Sequence, residues 1–276
     1  MLDALTDPTQ LQRVKGRASV ALVAGRGGRA VLGDLHQQGS AKAILPRVDG
    51  DATEVVFLNT SGGLTGGDRL DYALTLAPGL RATATTQTAE RAYRSAAGTA
   101  RAEVRLSVGD GGWLDWLPQE TILFDGASLE RDIRVDLGAG AGCLFLESVI
   151  LGRHAMGETV TGLHFRDNRL IRREGQPVWA EPLEIDTRVL ERKDNPAILG
   201  GARAMATLAL VRPDAADRLD TLRAVLDEAG VEAGASAFDG RLILRLIAWD
   251  GLPLRRQILR ALSVLRPGPV PRVWQV

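Results

Sequence analysis

The sequence contains one cysteine and three histidines in 276 residues. Cys143 therefore cannot form a disulfide within the chain, and no Cys-x-x-Cys pair or closely spaced histidines suggest a permanent metal site. Neither charge is in excess, since 34 Lys and Arg balance 34 Asp and Glu. We consequently do not expect a nucleic acid or an anionic membrane as a partner.

Long apolar runs are also missing. The first ten residues include Asp3 and Asp7 and have no apolar core, so we expect no signal peptide. The apolar stretch 139–152 is interrupted by Glu147 and is shorter than the roughly 20 residues that cross a bilayer. Together with the single cysteine, this predicts a cytoplasmic protein. With 45% hydrophobic residues, the chain can still bury a substantial core.

Alternation of apolar and polar residues dominates the chain from about residue 18 to 190. Examples are the series Leu70–Leu76, Val104–Val108 and Ile133–Leu137, and glycine-containing turns separate such series. Period-two alternation is typical of half-buried strands. The sequence therefore predicts a mainly β fold, with a large two-layered antiparallel β body over residues 1–204.

The pattern changes after residue 204. A strand is expected at Thr207–Val211, and Pro213 opens a helix that ends near Gly230. Two further strands follow, and a second helix begins near Pro253 and ends before Pro267. We predict a small C-terminal α+β lobe over residues 205–276, with the order β-α-β-β-α, two helices and a Pro-rich tail. It is expected to form one structural unit with the β body.

The segment 58–70 has four glycines within six residues and continues into an acid. The pairs Gly62-Gly63 and Gly66-Gly67 indicate a tight loop that holds Asp68 in place. The G-x-x-x-x-G spacing is similar to that of a phosphate-binding loop, but Asp68 and Arg69 stand where Lys and Ser or Thr are required. Because a carboxylate would repel phosphate, nucleotide binding is not expected.

Further blocks follow this loop in a fixed order. They are Gln87 to Arg94 with Tyr93, Trp116 to Glu120 followed by Phe124 to Ala127, Glu147 with Gly152-Arg153 and Gly157-Glu158, and Pro271 to Trp274. Together with the glycine loop they resemble the urease accessory protein UreD family, called UreH in some organisms. One departure is Asn59-Thr60-Ser61 before Gly62-Gly63, where many relatives have Asn-Pro-Pro.

The resemblance implies a non-catalytic chaperone and scaffold for the maturation of nickel urease. Members of the family are thought to bind apo-urease and the accessory protein UreF, and through UreF to recruit the GTPase UreG. The resemblance also implies a mainly β fold with helices toward the C-terminus. Nickel would pass through an internal, water-filled passage, and no cofactor would be tightly bound.

Six carboxylates lie in or beside these blocks, and oxygen ligands suit an ion that must be released, because they hold Ni²⁺ less tightly than imidazole or thiolate. The expected contributors to a passage are Asp68, Glu90, Glu120 and Glu147, with Asp125 and Glu158 behind them. Apolar neighbours make Glu120 and Glu147 the better internal candidates. Glu90 could instead pair with Arg91 or Arg94, and each acid alone could be an ordinary surface group.

A carbohydrate-active or other hydrolase on a β scaffold is the alternative. Paired acids such as Glu120 and Asp125 could serve it, although their separation decides that chemistry. The chain has no G-x-S-x-G motif around a serine, and Cys143 has no motif that links it to a histidine. The sequence thus contains no signature of an enzyme, and Cys143 is expected to be a small buried residue.

Two local features leave alternatives open. If residues 158–164 form a strand, Glu158 and His164 lie on the same face of it, and His154 lies nearby. These residues could contact a metal ion, or they could be ordinary polar residues on a solvent-exposed strand face. Trp274 in the tail either packs back on the β body or anchors a partner, because tryptophan is enriched at interface hot spots.

Overall fold

The computed structural model describes residues 13–47 and 53–275. The N-terminal residues, on which the expectation about a signal peptide rests, lie outside the described residues. The prediction of a mainly β fold is confirmed, because the described residues form seventeen strands and three α-helices.

The strands are β1 (Lys15–Ala24), β2 (Ala30–Gly39), β3 (Ala41–Ile44), β4 (Thr53–Asn59), β5 (Arg69–Leu76), β6 (Arg81–Thr86), β7 (Glu90–Ala92), β8 (Ala100–Val108), β9 (Trp113–Trp116), β10 (Thr121–Leu123), β11 (Ala127–Leu137), β12 (Gly142–Leu151), β13 (Leu163–Arg173), β14 (Gln176–Asp186), β15 (Ala204–Val211), β16 (Val231–Phe238) and β17 (Arg241–Ala248). The helices are α1 (Thr187–Glu191), α2 (Leu219–Arg223) and α3 (Gly251–Leu265). Short 3₁₀ turns occupy Arg26–Gly28, His154–Met156, Ala215–Arg218 and Arg272–Trp274.

Within the described residues, the strands build two sheets that share one core. Sheet A has seven strands in the order β14-β13-β11-β8-β5-β1-β2. Sheet B has ten, in the order β16-β17-β15-β12-β9-β6-β4-β3, with β10 beside β12 and β7 beside β10. The rings of Phe57 on β4 and Tyr72 on β5 lie 4.8 Å apart, so the inner faces of the two sheets meet.

The central strands of both sheets run parallel, and the prediction of an antiparallel body is therefore wrong. In sheet A, β1, β5, β8, β11 and β13 pair in parallel, and in sheet B so do β4, β6, β9 and β12. The chain crosses to the other sheet between successive strands, which gives a solenoid-like stack. Alternation of residue types indicates one buried face per strand, but it does not indicate the direction of the neighbouring strands.

The inner faces of the strands have the residues that alternation predicts. On β5, the residues at 70, 72, 74 and 76 are buried, and the same holds for 104, 106 and 108 on β8 and for 133, 135 and 137 on β11. Cys143 is buried too, with 1% of its surface exposed, as expected for a small core residue. These side chains belong to one apolar cluster that spans both sheets.

The C-terminal segment has the predicted order β-α-β-β-α in β15, α2, β16, β17 and α3. Its strands continue sheet B, because β15 pairs with β12 and β17 pairs with β15. The second predicted helix is α3, which buries Leu254, Ile258, Leu262 and Leu265 on one face. The first helix ends at Arg223, earlier than expected.

The C-terminal tail packs back on the body. Trp274 is 3% exposed, and its indole Nε1 donates a hydrogen bond of 2.9 Å to the carbonyl oxygen of Leu117. The guanidinium of Arg255 on α3 lies 4.6 Å from the centre of the indole ring. Of the two alternatives for Trp274, the structure therefore shows packing against the body. No helix in the part of the chain that the structure describes has the length and apolar character needed to cross a bilayer.

We expect truncation of a buried α3 residue to destabilise the fold. Leu262→Ala leaves a cavity under α3, where Leu262 is fully buried, and should lower the free energy of unfolding by about 2–5 kcal/mol. Leu252→Ala on the same helix is the matched control, since Leu252 is 57% exposed, and should change it by less than about 0.5 kcal/mol. Urea denaturation measures both. Equal losses would show that α3 does not pack as described.

Candidate functional site

At one end of the body, the chain crosses four times from sheet B to sheet A. These four crossovers are residues 60–68, 87–99, 117–126 and 152–162. They lie side by side, since the amide of Ser95 donates to the carbonyl oxygen of Gly126 at 2.9 Å and the amide of Gly126 donates to that of Gly162 at 2.7 Å. Sequence blocks far apart in the chain are therefore neighbours at this end.

The glycine loop packs against the second crossover with almost no space between them. A Cβ atom on Gly63 would lie 2.7 Å from the carbonyl oxygen of Arg91 and would overlap the ring of Tyr93. A Cβ atom on Gly66 would lie 2.5 Å from the carbonyl oxygen of Gly98. Both distances are shorter than a carbon atom can accept, so these two glycines permit the close approach of the crossovers.

Asp68 fastens this loop through its two carboxylate oxygens. Its side chain is buried, and the amides of Val14 and Thr65 each donate to one of its carboxylate oxygens at 2.8 Å. Both oxygens thus hold backbone groups together. Asp68 does not line the cavity described next.

A cavity of about 70 Å³ lies between the two sheets beside these crossovers. Glu90 and Glu147 are on its wall, and both belong to the carboxylates expected to contribute to a passage. A third carboxylate, Glu103, also lines it. The other polar lining residues are Asn59, Tyr72, Thr86, Thr88, Arg91, Gln119, Thr121 and Arg131. The apolar lining includes Leu58, Leu64, Leu70, Trp116 and Leu129. The lining of the cavity is therefore mixed, with apolar side chains and converging polar groups.

Glu90 begins β7 and is partly buried. The side-chain amide of Asn59 lies 3.2 and 3.3 Å from its two carboxylate oxygens. Burial raises the pKa of Glu90 to about 7, against the opposing effect of the Asn59 hydrogen bond. The carboxyl group can therefore gain or lose a proton near neutral pH. The pairing with Arg94 that sequence left open is absent from the described contacts, since Arg94 pairs with Asp125.

Glu147 lies on β12 and is only 1% exposed. The indole Nε1 of Trp116 donates to its Oε1 at 2.8 Å. Arg131 reaches across from sheet A and places Nη1 2.7 Å from Oε2, but no donor in the described residues is aligned on Oε2 as a hydrogen bond. Burial raises the pKa of Glu147, and the charge of Arg131 opposes that effect.

Arg131 belongs to a buried network of alternating charges. Its Nε and Nη2 donate to the two carboxylate oxygens of Asp167 at 2.9 and 2.6 Å. Arg169 lies 2.7 Å from Asp167 and 3.1 Å from Glu181. Although burial opposes it, the charges of Arg131 and Arg169 hold the pKa of Asp167 below its usual value. The network satisfies charges that would otherwise be costly in an apolar core.

Arg131, Asp167 and Arg169 are not among the predicted site residues, yet the sequence contains a signal for them. Each occupies an inward position in an alternating series, as in Leu129-x-Arg131-x-Ile133 and Phe165-x-Asp167-x-Arg169. A charge at such a position needs a partner across the core. Reading the alternation for charged interruptions would have selected them.

The other three predicted acids lie outside the cavity lining. The side chain of Glu120 is 27% exposed, and its Oε2 lies 3.7 Å from Nη1 of Arg255 on α3. The expectation of an internal position therefore holds for Glu147 but not for Glu120. Asp125 pairs with Arg94, and Glu158 lies 2.9 Å from Arg153. Both acids belong to the surface that the crossovers form.

The condition for a shared strand face of Glu158 and His164 is not met, because no strand covers residues 158–164. Residues 157–162 are irregular, so Glu158 precedes β13 while His164 belongs to it. His154 contacts Arg203, and His164 Nε2 lies 3.7 Å from a carboxylate oxygen of Glu130. The described residues contain no group of three or more His, Cys, Asp or Glu that could hold a metal ion.

Comparison with known proteins identifies close similarity over the whole chain. A family model described as UreD urease accessory protein matches residues 15–275. Two proteins of Cereibacter sphaeroides strains, both named urease accessory protein UreD, are 63% identical over 276 residues and 60% identical over 275 residues, covering 99% or more of each chain. A Paracoccus denitrificans protein of the same name is 57% identical over 276 residues, covering 100% of this chain and 97% of its own.

Removing the central arginine of the network should destabilise the protein strongly. Arg131→Met leaves Glu147 without a buried cationic partner and Asp167 with Arg169 alone, and should lower the free energy of unfolding by about 3–5 kcal/mol. Arg134→Met on the same strand is the control, because Arg134 is 52% exposed and pairs with the partly exposed Asp132; it should cost less than about 1 kcal/mol. Urea denaturation distinguishes them, and similar costs would contradict the role assigned to Arg131.

The raised pKa of Glu90 predicts a pH dependence of stability. Between about pH 4.5 and about pH 7, folded Glu90 holds a proton that the unfolded chain has lost. Stability from this group is therefore fully present below the lower value and is lost as pH rises through the higher one. Glu90→Gln cannot titrate, so its stability relative to the unmodified protein should increase across this window. Urea denaturation at several pH values measures this difference, and a constant difference would contradict the raised pKa.

Proposed function

The chain belongs to the UreD family of urease accessory proteins, and on that premise we propose that it conducts nickel to the active site of apo-urease. Family membership gives it a role in urease maturation, as an assembly factor rather than an enzyme. In the proposed assembly it binds apo-urease and UreF, and UreF recruits the GTPase UreG. Nickel is the cargo of this assembly, and no tightly bound cofactor is needed.

The observation that carries the proposal is the cavity between the two sheets. It brings Glu90 and Glu147 into one internal space, although they come from different crossovers and strands. Both supply oxygen ligands, which hold Ni²⁺ less tightly than nitrogen or sulfur ligands. Two such carboxylates in a space of mixed polar and apolar lining suit passage of a hydrated ion more than its storage.

Glu90 would lose its proton when nickel enters the cavity. Its carboxyl group exchanges a proton near neutral pH, so binding of Ni²⁺ would displace the proton and turn the group into an anionic ligand. The side-chain amide of Asn59 donates to both carboxylate oxygens of Glu90. When Ni²⁺ binds, this amide would either leave the carboxylate or keep it oriented toward the cavity. Departure of nickel would allow the proton to return.

Glu147 would act deeper in the cavity. Its Oε2 lies 2.7 Å from Nη1 of Arg131, so a hydrated cation would compete with the guanidinium for this oxygen. The guanidinium of Arg131 beside it repels a cation and weakens any complex with nickel. Glu147 and Arg131 together would offer a contact that forms and breaks readily.

The remaining predicted acids have other roles in this proposal. Asp68 fastens the glycine loop, and Glu120 pairs with Arg255 at the surface. Asp125 and Glu158 join crossovers, since the amide of Asp125 donates to Glu158 at 3.2 Å. None of the four lines the cavity, so we assign the internal passage to Glu90 and Glu147.

Neutralising Glu90 should lower nickel transfer without preventing assembly. In cells that express the urease genes with this chain, we expect Glu90→Gln to reduce the nickel content of purified urease severalfold, because the cavity loses an ionisable ligand. Metal analysis of urease gives the readout, and co-purification of the accessory proteins reports assembly.

Glu184→Gln is the matched control, since Glu184 is 53% exposed on β14 and pairs with Arg166. It should leave the nickel content unchanged. Equal nickel in urease matured with either variant would count against a passage that uses Glu90. Loss of the accessory proteins in the Glu90 variant alone would assign Glu90 to assembly instead.

A further inference from the structure

The four crossovers form a concave surface at their end of the body. We call it the crossover surface and define it by six residues that surround one surface pocket: Tyr93, Arg94, Phe124, Asp125, Arg153 and Glu158. They come from three different crossovers, so this surface exists only in the folded chain. The crossover backbones are hydrogen-bonded to one another, as in the bond of 3.0 Å from the amide of Phe124 to the carbonyl oxygen of Ala92.

The two acids of the crossover surface are used within the protein. Asp125 Oδ1 accepts hydrogen bonds from the amides of Thr161 and Gly162 at 2.8 and 3.0 Å. Glu158 accepts from the amides of Arg153 and Asp125 at 2.9 and 3.2 Å. The bonds to Thr161 and Gly162 hold the pKa of Asp125 below its usual value, and those from Arg153 do the same for Glu158. Both acids are therefore ionised and already occupied.

The two arginines, by contrast, retain donors that face solvent. The side chain of Arg94 is 70% exposed, and within the described residues its hydrogen bond to Asp125 uses Nη2. Arg153 is 50% exposed and binds Glu158 through Nε and Nη2. Each guanidinium has five N–H donors in a planar fork, so both keep free donors beside their internal partner.

Aromatic rings complete the crossover surface. Tyr93 is 40% exposed, and its ring meets that of Phe124 edge-on with centres 5.1 Å apart. The guanidinium of Arg153 lies 4.5 Å above the Phe124 ring, which restricts its position. Exposed aromatic groups beside arginines are typical of interface hot spots.

We propose that the crossover surface binds an acidic segment of a partner protein in the urease maturation assembly. A carboxylate of that segment lies between Arg94 and Arg153, and a neighbouring apolar side chain packs on Tyr93. Charge complementarity favours this occupant, because guanidinium groups bind carboxylates in a bidentate geometry and the local acids already have internal donors. The identity of the partner as a member of that assembly rests on the proposed function.

The crossover surface adjoins the cavity. The hydroxyl of Tyr93 donates to the carbonyl oxygen of Gly62 at 3.1 Å, and Gly62 and Arg91 line the cavity near Glu90. A partner bound here would cover this end of the cavity. The docking surface and the proposed nickel passage would therefore be adjacent.

The first test is co-purification of the tagged chain from cells that express the urease genes. The double variant Arg94→Gln/Arg153→Gln should retain less partner, by roughly tenfold or more, because two charge-assisted contacts are lost. Arg134→Gln/Arg166→Gln is the matched control on sheet A, where these arginines are 52% and 48% exposed and pair with Asp132 and Glu184. It should retain the partner fully.

The second test does not depend on the stability of that double variant. A photo-crosslinking amino acid in place of Tyr93 should join the chain to one urease accessory protein or to urease, at a peptide containing Asp, Glu or a C-terminal carboxylate. Mass spectrometry identifies the crosslinked peptide. Crosslinks only to a second copy of this chain, to nucleic acid or to a segment without a carboxylate would overturn the proposal.

The outcomes separate docking from nickel transfer. Full partner retention by a folded Arg94→Gln/Arg153→Gln variant would overturn the docking proposal, even if nickel in urease fell. If the parent chain crosslinks as expected but does not raise the nickel content of urease, the docking proposal stands and the proposed passage fails.

Discussion

The buried ion pairs of Arg131 join the two sheets through the apolar core. This arginine extends from sheet A into an apolar core and contacts Asp167 in its own sheet and Glu147 in sheet B. Buried charges of this kind are tolerated only when they are paired. The network therefore fixes the distance and register between the two sheets, and it also places Glu147 on the cavity wall. The Arg131 network thus contributes both to the packing of the two sheets and to the polar lining of the cavity.

The solenoid-like path of the chain determines which residues meet at the crossover end of the body. Successive crossovers at one end align blocks of sequence that are far apart, and each contributes a few side chains. The glycine loop is narrow because Gly63 and Gly66 must fit against the next crossover. Behind the crossovers lies the cavity with Glu90 and Glu147, and in front lies the crossover surface. The six predicted acids therefore differ in position. Some line the cavity, Asp68 holds the glycine loop, and the others lie at the surface.

Much of the local structure could be predicted. The alternation on β5, β8 and β11, the apolar stripe of α3 and the tight glycine loop around Asp68 all follow from residue types and short spacings. The prediction of antiparallel sheets failed because the glycine turns after β5, β8 and β11 lead to the opposite sheet, and alternation does not indicate where the next strand pairs. Glu120 was expected inside because its neighbours are apolar, yet its own side chain turns toward Arg255. Apolar sequence neighbours do not decide which way one side chain points.

Residue types and their spacing along the chain indicate the main strands and the C-terminal helix, the buried face of each strand, and the family to which the chain belongs. These are properties of residue types within short windows, where steric preference and burial act directly. The parallel direction of the strands, the pairing of Arg131 with Glu147, and the position of Glu90 and Glu147 on the cavity wall follow only from the folded arrangement. Those outcomes depend on contacts between residues far apart in the chain, and the energy of such contacts is set by how the whole chain packs.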